Sequence, residues 1–364
     1  MNSNSNSKRI VFLDLMRAFA VLMMVQGHTV HTFLSNDLRN SESLFYSIWH
    51  VMRGFTAPIF MFTAGVVFTY LLFYNSQTHN KTRLIKGLKR FLLLVGLGYL
   101  LRYPTWKIFD FSDVTDEQWR IFFAVDALHL IGFGLLFIIL IALLAEKLKV
   151  TPYIMFTASV SFFVFTYPFI YSINWNEILT APLAAYMYSK SGSLFPLFPW
   201  VGYVIGGALL GVYLAHNPLI FKKKRFGSSL IVIGLSLMFI YLASSNISYI
   251  ISGNYLEKAY GVAIFFLRIG FVITLNGIVS LLVIKLDNIP QIIKLIGRHT
   301  LLIYIVHLVI LYGSAWIPGF YNSYGGSFNT LGTIGAVALM YLIMISMILG
   351  LERIKKFRKE NFAV

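Results

Sequence analysis

Ten apolar runs, each long enough to cross a lipid bilayer, divide this chain from end to end. At 1.5 Å of rise per residue, a helix needs about 20 apolar residues to span the hydrocarbon. Runs of that length fall at roughly 10–34, 50–74, 85–105, 120–145, 152–172, 197–215, 227–246, 259–284, 295–316 and 331–351. Only 12% of the 364 residues are charged and 58% are hydrophobic, against about 25% charged in soluble domains. The expected fold is all-α: a polytopic integral membrane protein of about ten transmembrane helices. The first run carries Asp14 and Arg17 and lacks a small-residue cleavage site, so it reads as a retained helix and not a signal peptide.

The net charge of +16 raises the question of nucleic acid, but in a membrane chain the placement of cations matters more than their sum. Lys8, Arg9, the group from Lys81 to Arg90, Lys222 to Arg225, Lys294, Arg298 and the group from Arg353 to Lys359 fall on one side of the expected spans. Asp37, Glu42, Asp110, Asp113, Asp116, Glu117, Glu177 and Glu257 fall on the other, with only Arg39, Lys107, Arg120, Lys190 and Lys258 as cations there. The positive-inside rule makes the first side cytoplasmic, with both termini there. Trp49, Trp106, Trp119, Trp175, Trp200 and Trp316 all fall on the outer side, as interfacial anchors do. The same one-sidedness also suits stacking against a sugar.

The organisation expected is a disordered cytoplasmic tail over 1–9, one membrane domain over 10–352 and a basic cytoplasmic tail over 353–364. The stretch from Asn174 to Pro199 is broken by prolines and by Lys190 and Gly192, and reads as an interfacial or re-entrant piece. With no cysteine in the chain, structural disulfides, thiolate zinc sites and a cysteine nucleophile are excluded. No metal is expected.

Ionisable groups at membrane depth cost roughly 2.5–3.5 kcal/mol each on insertion scales, and so they mark sites or interhelical pairs. Arg17 and His28 lie eleven residues apart in the first run. That is about three helical turns, which puts both on one face some 16 Å apart along the axis. His31 lies in the outer half of the same run; Trp49, His50 and Arg53 open the second; Asp126 and His129 stand at i,i+3 in the fourth. Trp200 opens the sixth run, Arg268 is near mid-membrane in the eighth, and Arg298, His299, Tyr304 and His307 belong to the ninth.

Structural uses compete for several of these. Asp14 and Arg17 can neutralise one another, and Asp126 with His129 can lock one helix to its neighbour. His31 and His50 can hydrate at the interface, His307 can make an interhelical hydrogen bond, and Arg298 can face lipid phosphates. Arg53 and Arg102 can snorkel to outer headgroups, which is the assignment adopted for Arg102. Arg268 is the hardest to explain in this way, because neither interface is near.

Four blocks give the chain a family likeness: RIVFLDLMRAFAVLMMVQGH (Arg9 to His28), APIFMFTAGVVF (Ala57 to Phe68), FPLFPWVGYVIGGALLG (Phe195 to Gly211) and IGRHTLLIYIVHLVIL (Ile296 to Leu311). A weaker fifth is ALHLIGFGLL (Ala127 to Leu136). On these the chain resembles the transmembrane acyltransferases, in the bacterial branch similar to the catalytic domain of heparan-alpha-glucosaminide N-acetyltransferase. The Arg17-x10-His28 spacing matches the first helix of the related acyltransferase-three families.

The resemblance implies transfer of an acyl group, usually acetyl from cytosolic acyl-CoA, to a hydroxyl or amine of a glycan-like acceptor on the far side. It also implies a bacterial plasma membrane. His28 occupies the place of the first-helix histidine proposed as catalytic in the acyltransferase-three branch. In the animal enzyme the active histidine lies between the first two matching helices, which keeps His50 in reserve.

The mechanism expected takes His28 as general base, Asp126 as its orienting carboxylate and Arg268 as donor to the developing oxyanion or the thioester carbonyl. Arg17, Lys89, Arg90 and Arg298 are expected to hold the phosphates of acetyl-CoA. His31, Trp49, His50, Arg53, His129, Trp200 and His307 are expected to line the acceptor's path. The partners expected are membrane lipids, acyl-CoA and a glycan or other small extracytoplasmic acceptor, with no nucleic acid; oligomerisation is compatible with the sequence. The competing function is a transporter or flippase that uses the same buried charges for an anionic or lipid-linked substrate.

Overall fold

The structure is a computed structural model that describes residues 10–39, 43–74, 81–217, 219–248, 255–286 and 289–361. The N-terminal tail with Lys8 and Arg9, and Glu42 of the outer charge pattern, lie outside the described residues. In chain order the helices are α1 (Val11–Phe33), α2 (Leu44–Arg53), α3 (Thr56–Phe73), α4 (Lys81–Leu101), α5 (Asp116–Phe123) and α6 (Ala127–Leu148). There follow α7 (Pro152–Phe165), α8 (Tyr167–Ser172), α9 (Trp175–Ile178), α10 (Ala181–Met187), α11 (Leu197–His216) and α12 (Lys224–Ser248). The last are α13 (Tyr255–Lys285), α14 (Gln291–Arg298), α15 (Thr300–Tyr312), α16 (Phe320–Tyr324) and α17 (Thr330–Asn361).

Among the described residues, eight helical stretches are long and apolar enough to cross a membrane, and the bent pair α14 and α15 makes a ninth when taken as one span. The chain is an all-α polytopic membrane protein. Each stretch coincides with an expected run, and the run at 85–105 is the exception. It falls in α4, which is helical but carries Lys81, Arg83, Lys86, Lys89 and Arg90 in its first half. The helix stops at Leu101, shortly before Pro104, because a proline disfavours helical geometry in the residue before it.

Several runs are broken within their length. The run at 120–145 divides into α5 and α6 because Asp126 is extended (φ −105°, ψ 176°) and caps α6. The expected placement of Asp126 and His129 on one face of a continuous helix is therefore corrected: Asp126 stands at the helix entrance. A short carboxylate there satisfies first-turn amides that a continuing helix would not leave open. The run at 295–316 bends by 74° between α14 and α15, with His299 as the joint. Residues 174–199 form only short helical pieces, tied by the Ser193 hydroxyl, which donates to Ala185 O at 2.6 Å and accepts from Val125 N at 2.9 Å. The basic C-terminal segment continues α17 as helix to Asn361.

Two compact units divide the chain. The first comprises residues 1–56 and 286–364. Its core joins Ala18, Val21 and Val25 of α1 to Ile296 of α14, Ile303 and Leu311 of α15, and Met340, Met344 and Ile348 of α17. These positions recur every three or four residues, the spacing that puts apolar side chains on one helix face. Tyr341 of α17 donates its hydroxyl to Leu22 O at 3.0 Å.

The second unit comprises residues 57–285, in which α11 packs on α6 and α7, α4 packs on α6, and α12 pairs with α13. The last pair is closed by glycines seven residues apart on both helices. A Cβ on Gly234 would lie 2.5 Å from Gly270 O, and one on Gly270 would lie 2.6 Å from Gly234 O. Gly277 meets Gly227 O in the same way at 2.6 Å. Small residues of this kind let membrane helices approach to backbone contact, where dispersion replaces the missing hydrophobic drive.

Candidate active site

In the first unit, Arg17 and His28 both turn from α1 onto α15. Arg17 donates to the Thr300 hydroxyl at 2.9 Å, and the Nδ1 of His28 lies 3.2 Å from the Nε2 of His307. Both pairs advance in the same sense along their helices, so α1 and α15 run side by side in parallel. The stripe read from the Arg17–His28 spacing thus faces a neighbouring helix. His28 is half-buried and His307 is fully buried. The other nitrogen of His307, Nδ1, lies 2.7 Å from Ile303 O of its own helix.

Around this pair the C-terminal end of α1 is aromatic and polar. The Tyr312 ring stands edge-on to His28 at 5.7 Å between centroids, and its hydroxyl is 3.3 Å from the Nδ1 of His31. The Arg53 side chain runs past Gly27, close enough that a Cβ there would touch its Cγ at 3.4 Å. Its guanidinium lies 5.7 Å from the Trp49 ring, a cation–π contact of about 0.5–2 kcal/mol. His50 is exposed and stacks loosely on Tyr46 at 5.9 Å. At the other end of the stripe, Arg298 is exposed on the last turn of α14, and His299 pairs with Glu352 of α17 at 3.0 Å.

The second unit holds the remaining expected residues. The Asp126 carboxylate accepts from Ala127 N and pairs with Arg102 at 3.3 Å. Arg102 is therefore corrected from a snorkelling side chain to the partner of a carboxylate, which would be costly to leave mostly buried without a cation beside it. The Asp126 amide donates to the Nδ1 of His129 at 3.2 Å. The buried His129 ring meets the Tyr99 ring edge-on at 4.3 Å and fits only because residue 98 is glycine, where a Cβ would stand 2.6 Å from the imidazole. Arg268 lies over the Trp200 ring at 5.1 Å, which gives its guanidinium an aromatic face. Lys89 and Arg90 are exposed on α4.

The sequence model of the family described as heparan-alpha-glucosaminide N-acetyltransferase, catalytic, matches residues 9–245, more than half of the chain. The chain belongs to this family. No curated protein and no solved structure matches it. Membership makes this heparan-alpha-glucosaminide N-acetyltransferase-like chain a membrane enzyme of the acetyltransferase type. The matched region contains Arg17, His28, Trp49, His50, Arg53, Lys89, Arg90, Asp126, His129 and Trp200, while Arg268, Arg298 and His307 lie beyond it.

The expected site residues therefore divide between the units: Arg17, His28, His31, Trp49, His50, Arg53, Arg298 and His307 in the first, and Lys89, Arg90, Asp126, His129, Trp200 and Arg268 in the second. Nothing in the sequence alone singles out Thr300 or Tyr312. Thr300 is 283 residues from its partner Arg17, and no spacing rule reaches that far. Among the described residues no group of three or more His, Asp or Glu side chains is placed to hold a metal ion.

Proposed function

We propose that this enzyme moves an acetyl group from cytosolic acetyl-CoA to a hydroxyl or amine of a glycan-like acceptor on the extracytoplasmic side of a bacterial plasma membrane. The observation that carries the reading is the α1–α15 seam, with a guanidinium at one level and a hydrogen-bonded imidazole pair roughly three turns away. A thioester carried on a long arm and anchored through its phosphates is compatible with that separation between anchor and base.

The donor's chemistry fits the residues of the first unit. Arg17, part-buried and held by Thr300, and the exposed Arg298 two residues before Thr300 are positioned to take phosphate oxygens through charge-assisted hydrogen bonds. On the second unit, Lys89 and Arg90 are among the exposed cations of α4 and are candidates for the same type of ligand, and Arg268 is a candidate for holding negative charge. Acetyl-CoA supplies an activated thioester. His28 takes the acceptor's proton as the acceptor oxygen or nitrogen attacks the thioester carbonyl, and returns that proton to the departing thiolate. His31, Trp49, Arg53 and Tyr312 surround the approach of a sugar, offering hydrogen bonds and a stacking face.

The test is free-CoA release by the purified protein in nanodiscs, supplied with acetyl-CoA and a panel of amino sugars and hydroxylated glycans. Release that requires both an acceptor and an intact His28 supports the reading. An absence of release with every acceptor, alongside transport of an anionic or lipid-linked substrate, favours the flippase.

A further inference from the structure

The two rings at the centre of the seam are not equivalent, and their heavy-atom geometry determines where the protons sit. A backbone carbonyl oxygen can only accept a hydrogen bond. The Nδ1 of His307, 2.7 Å from Ile303 O, therefore carries a hydrogen. When His307 is neutral that is its single ring proton, and its Nε2 presents a lone pair. The nitrogen facing this lone pair at 3.2 Å is the Nδ1 of His28, which must then be the donor. The basic nitrogen of His28 is left as Nε2.

We propose that His307 is a positioning residue that holds His28 in the Nδ1–H tautomer, so that the Nε2 of His28 is the atom that handles the proton of acyl transfer. The inference rests on the reading of His28 as the base and deepens it to a single atom. The step balances on that atom. The acceptor's O–H or N–H proton passes to Nε2 as the new acyl bond forms and the C–S bond breaks, and the same proton then leaves Nε2 for the thiolate sulfur.

The geometry suits a positioning role better than a role as a simple cross-link between helices. Ile303 is one turn before His307 on α15, so its carbonyl is fixed by the helix and does not depend on a mobile side chain. His307 is fully buried, whereas His28 is half-buried, so only His28 is placed to meet a substrate. The hydrogen bond at one ring nitrogen decides which nitrogen is protonated. In serine hydrolases a carboxylate does this for the catalytic imidazole; here a second imidazole, itself oriented by a carbonyl, takes that place.

The experiment is 15N NMR of histidine-labelled full-length protein in nanodiscs without substrates, with the His28 signal assigned by its loss in His28→Asn. The expected result is a neutral His28 protonated on Nδ1, and a move toward Nε2–H in His307→Leu. In acetyl transfer, His307→Leu is expected to lower kcat on the order of a hundredfold, within the range a correctly poised base contributes, with KM for acetyl-CoA unchanged. His307→Gln, whose Oε1 can still accept from Nδ1, is expected to recover most of the loss. A wild-type His28 protonated on Nε2, or an unchanged tautomer in His307→Leu, overturns the proposal. Because the tautomer is read without turnover, a protein with the expected tautomer but no acetyl transfer would contradict the proposed function and leave the positioning role standing.

Discussion

The carboxylate of Asp126 and the guanidinium of Arg102 lie 3.3 Å apart with only 15% and 19% of their side chains exposed. This pair stands at the entrance of α6, where Asp126 also accepts from the first-turn amide of Ala127. Replacing Arg102 by Met strands a mostly buried carboxylate, which costs about 1–3 kcal/mol when some solvent reaches it. The expected outcome is a lower Tm for Arg102→Met in a detergent melt. The double variant Arg102→Met with Asp126→Asn should recover part of the loss, because a neutral amide can still cap the helix.

A guanidinium tied to a hydroxyl is preorganised for phosphate. If Arg17 binds the phosphates of CoA, free CoA should raise the Tm of the wild-type protein. At a concentration a hundred times its Kd the gain is about 2.7 kcal/mol. Arg17→Ala should lose most of that shift. Thr300→Val, which removes only the partner 2.9 Å away, should lose a smaller part. An undiminished shift in Arg17→Ala would remove this residue from donor binding.

The reciprocal glycines of α12 and α13 allow a third test. A leucine at position 234 would drive its side chain into the backbone of Gly270, 2.5 Å from where a Cβ begins. Forcing those helices apart should cost about 1–3 kcal/mol, read as a Tm loss. Gly335, where nothing lies within 4 Å, should accept alanine with little change and serves as the control.

The span pattern was legible because hydrocarbon thickness fixes run length, and the runs recur as helices. What escaped were the joints. Gly54, Asp126 and His299 lie inside runs whose average hydropathy passes for one span, although His50 and Arg53, Arg120, and Lys294 and Arg298 stand on the N-terminal side of the breaks. Asp126 with His129 three residues on is a capping box in disguise, since histidine stands where glutamate or glutamine usually signals one. The run at 85–105 resembles a span only in its apolar second half, and the cations of its first half set α4 apart.

In the candidate site, the three-turn spacing of Arg17 and His28 was readable from one helix alone. Their partners were not, because Thr300 and His307 are contributed by a helix some 280 residues later in the chain. Arg102 looked like an interfacial side chain because its depth was legible and its partner was not. The glycines at 227, 234, 270 and 277 did carry a usable signal: equal seven-residue spacing on two successive apolar runs.

The central claim is that the imidazole of His28 performs acyl-transfer chemistry, and acetyl-CoA-dependent CoA release by wild-type protein and His28→Ala measures this directly. The account predicts acceptor-dependent release that falls by about 10²–10⁴-fold in the variant, with CoA still raising the Tm of both proteins. Release at the wild-type rate from a folded His28→Ala protein would contradict it.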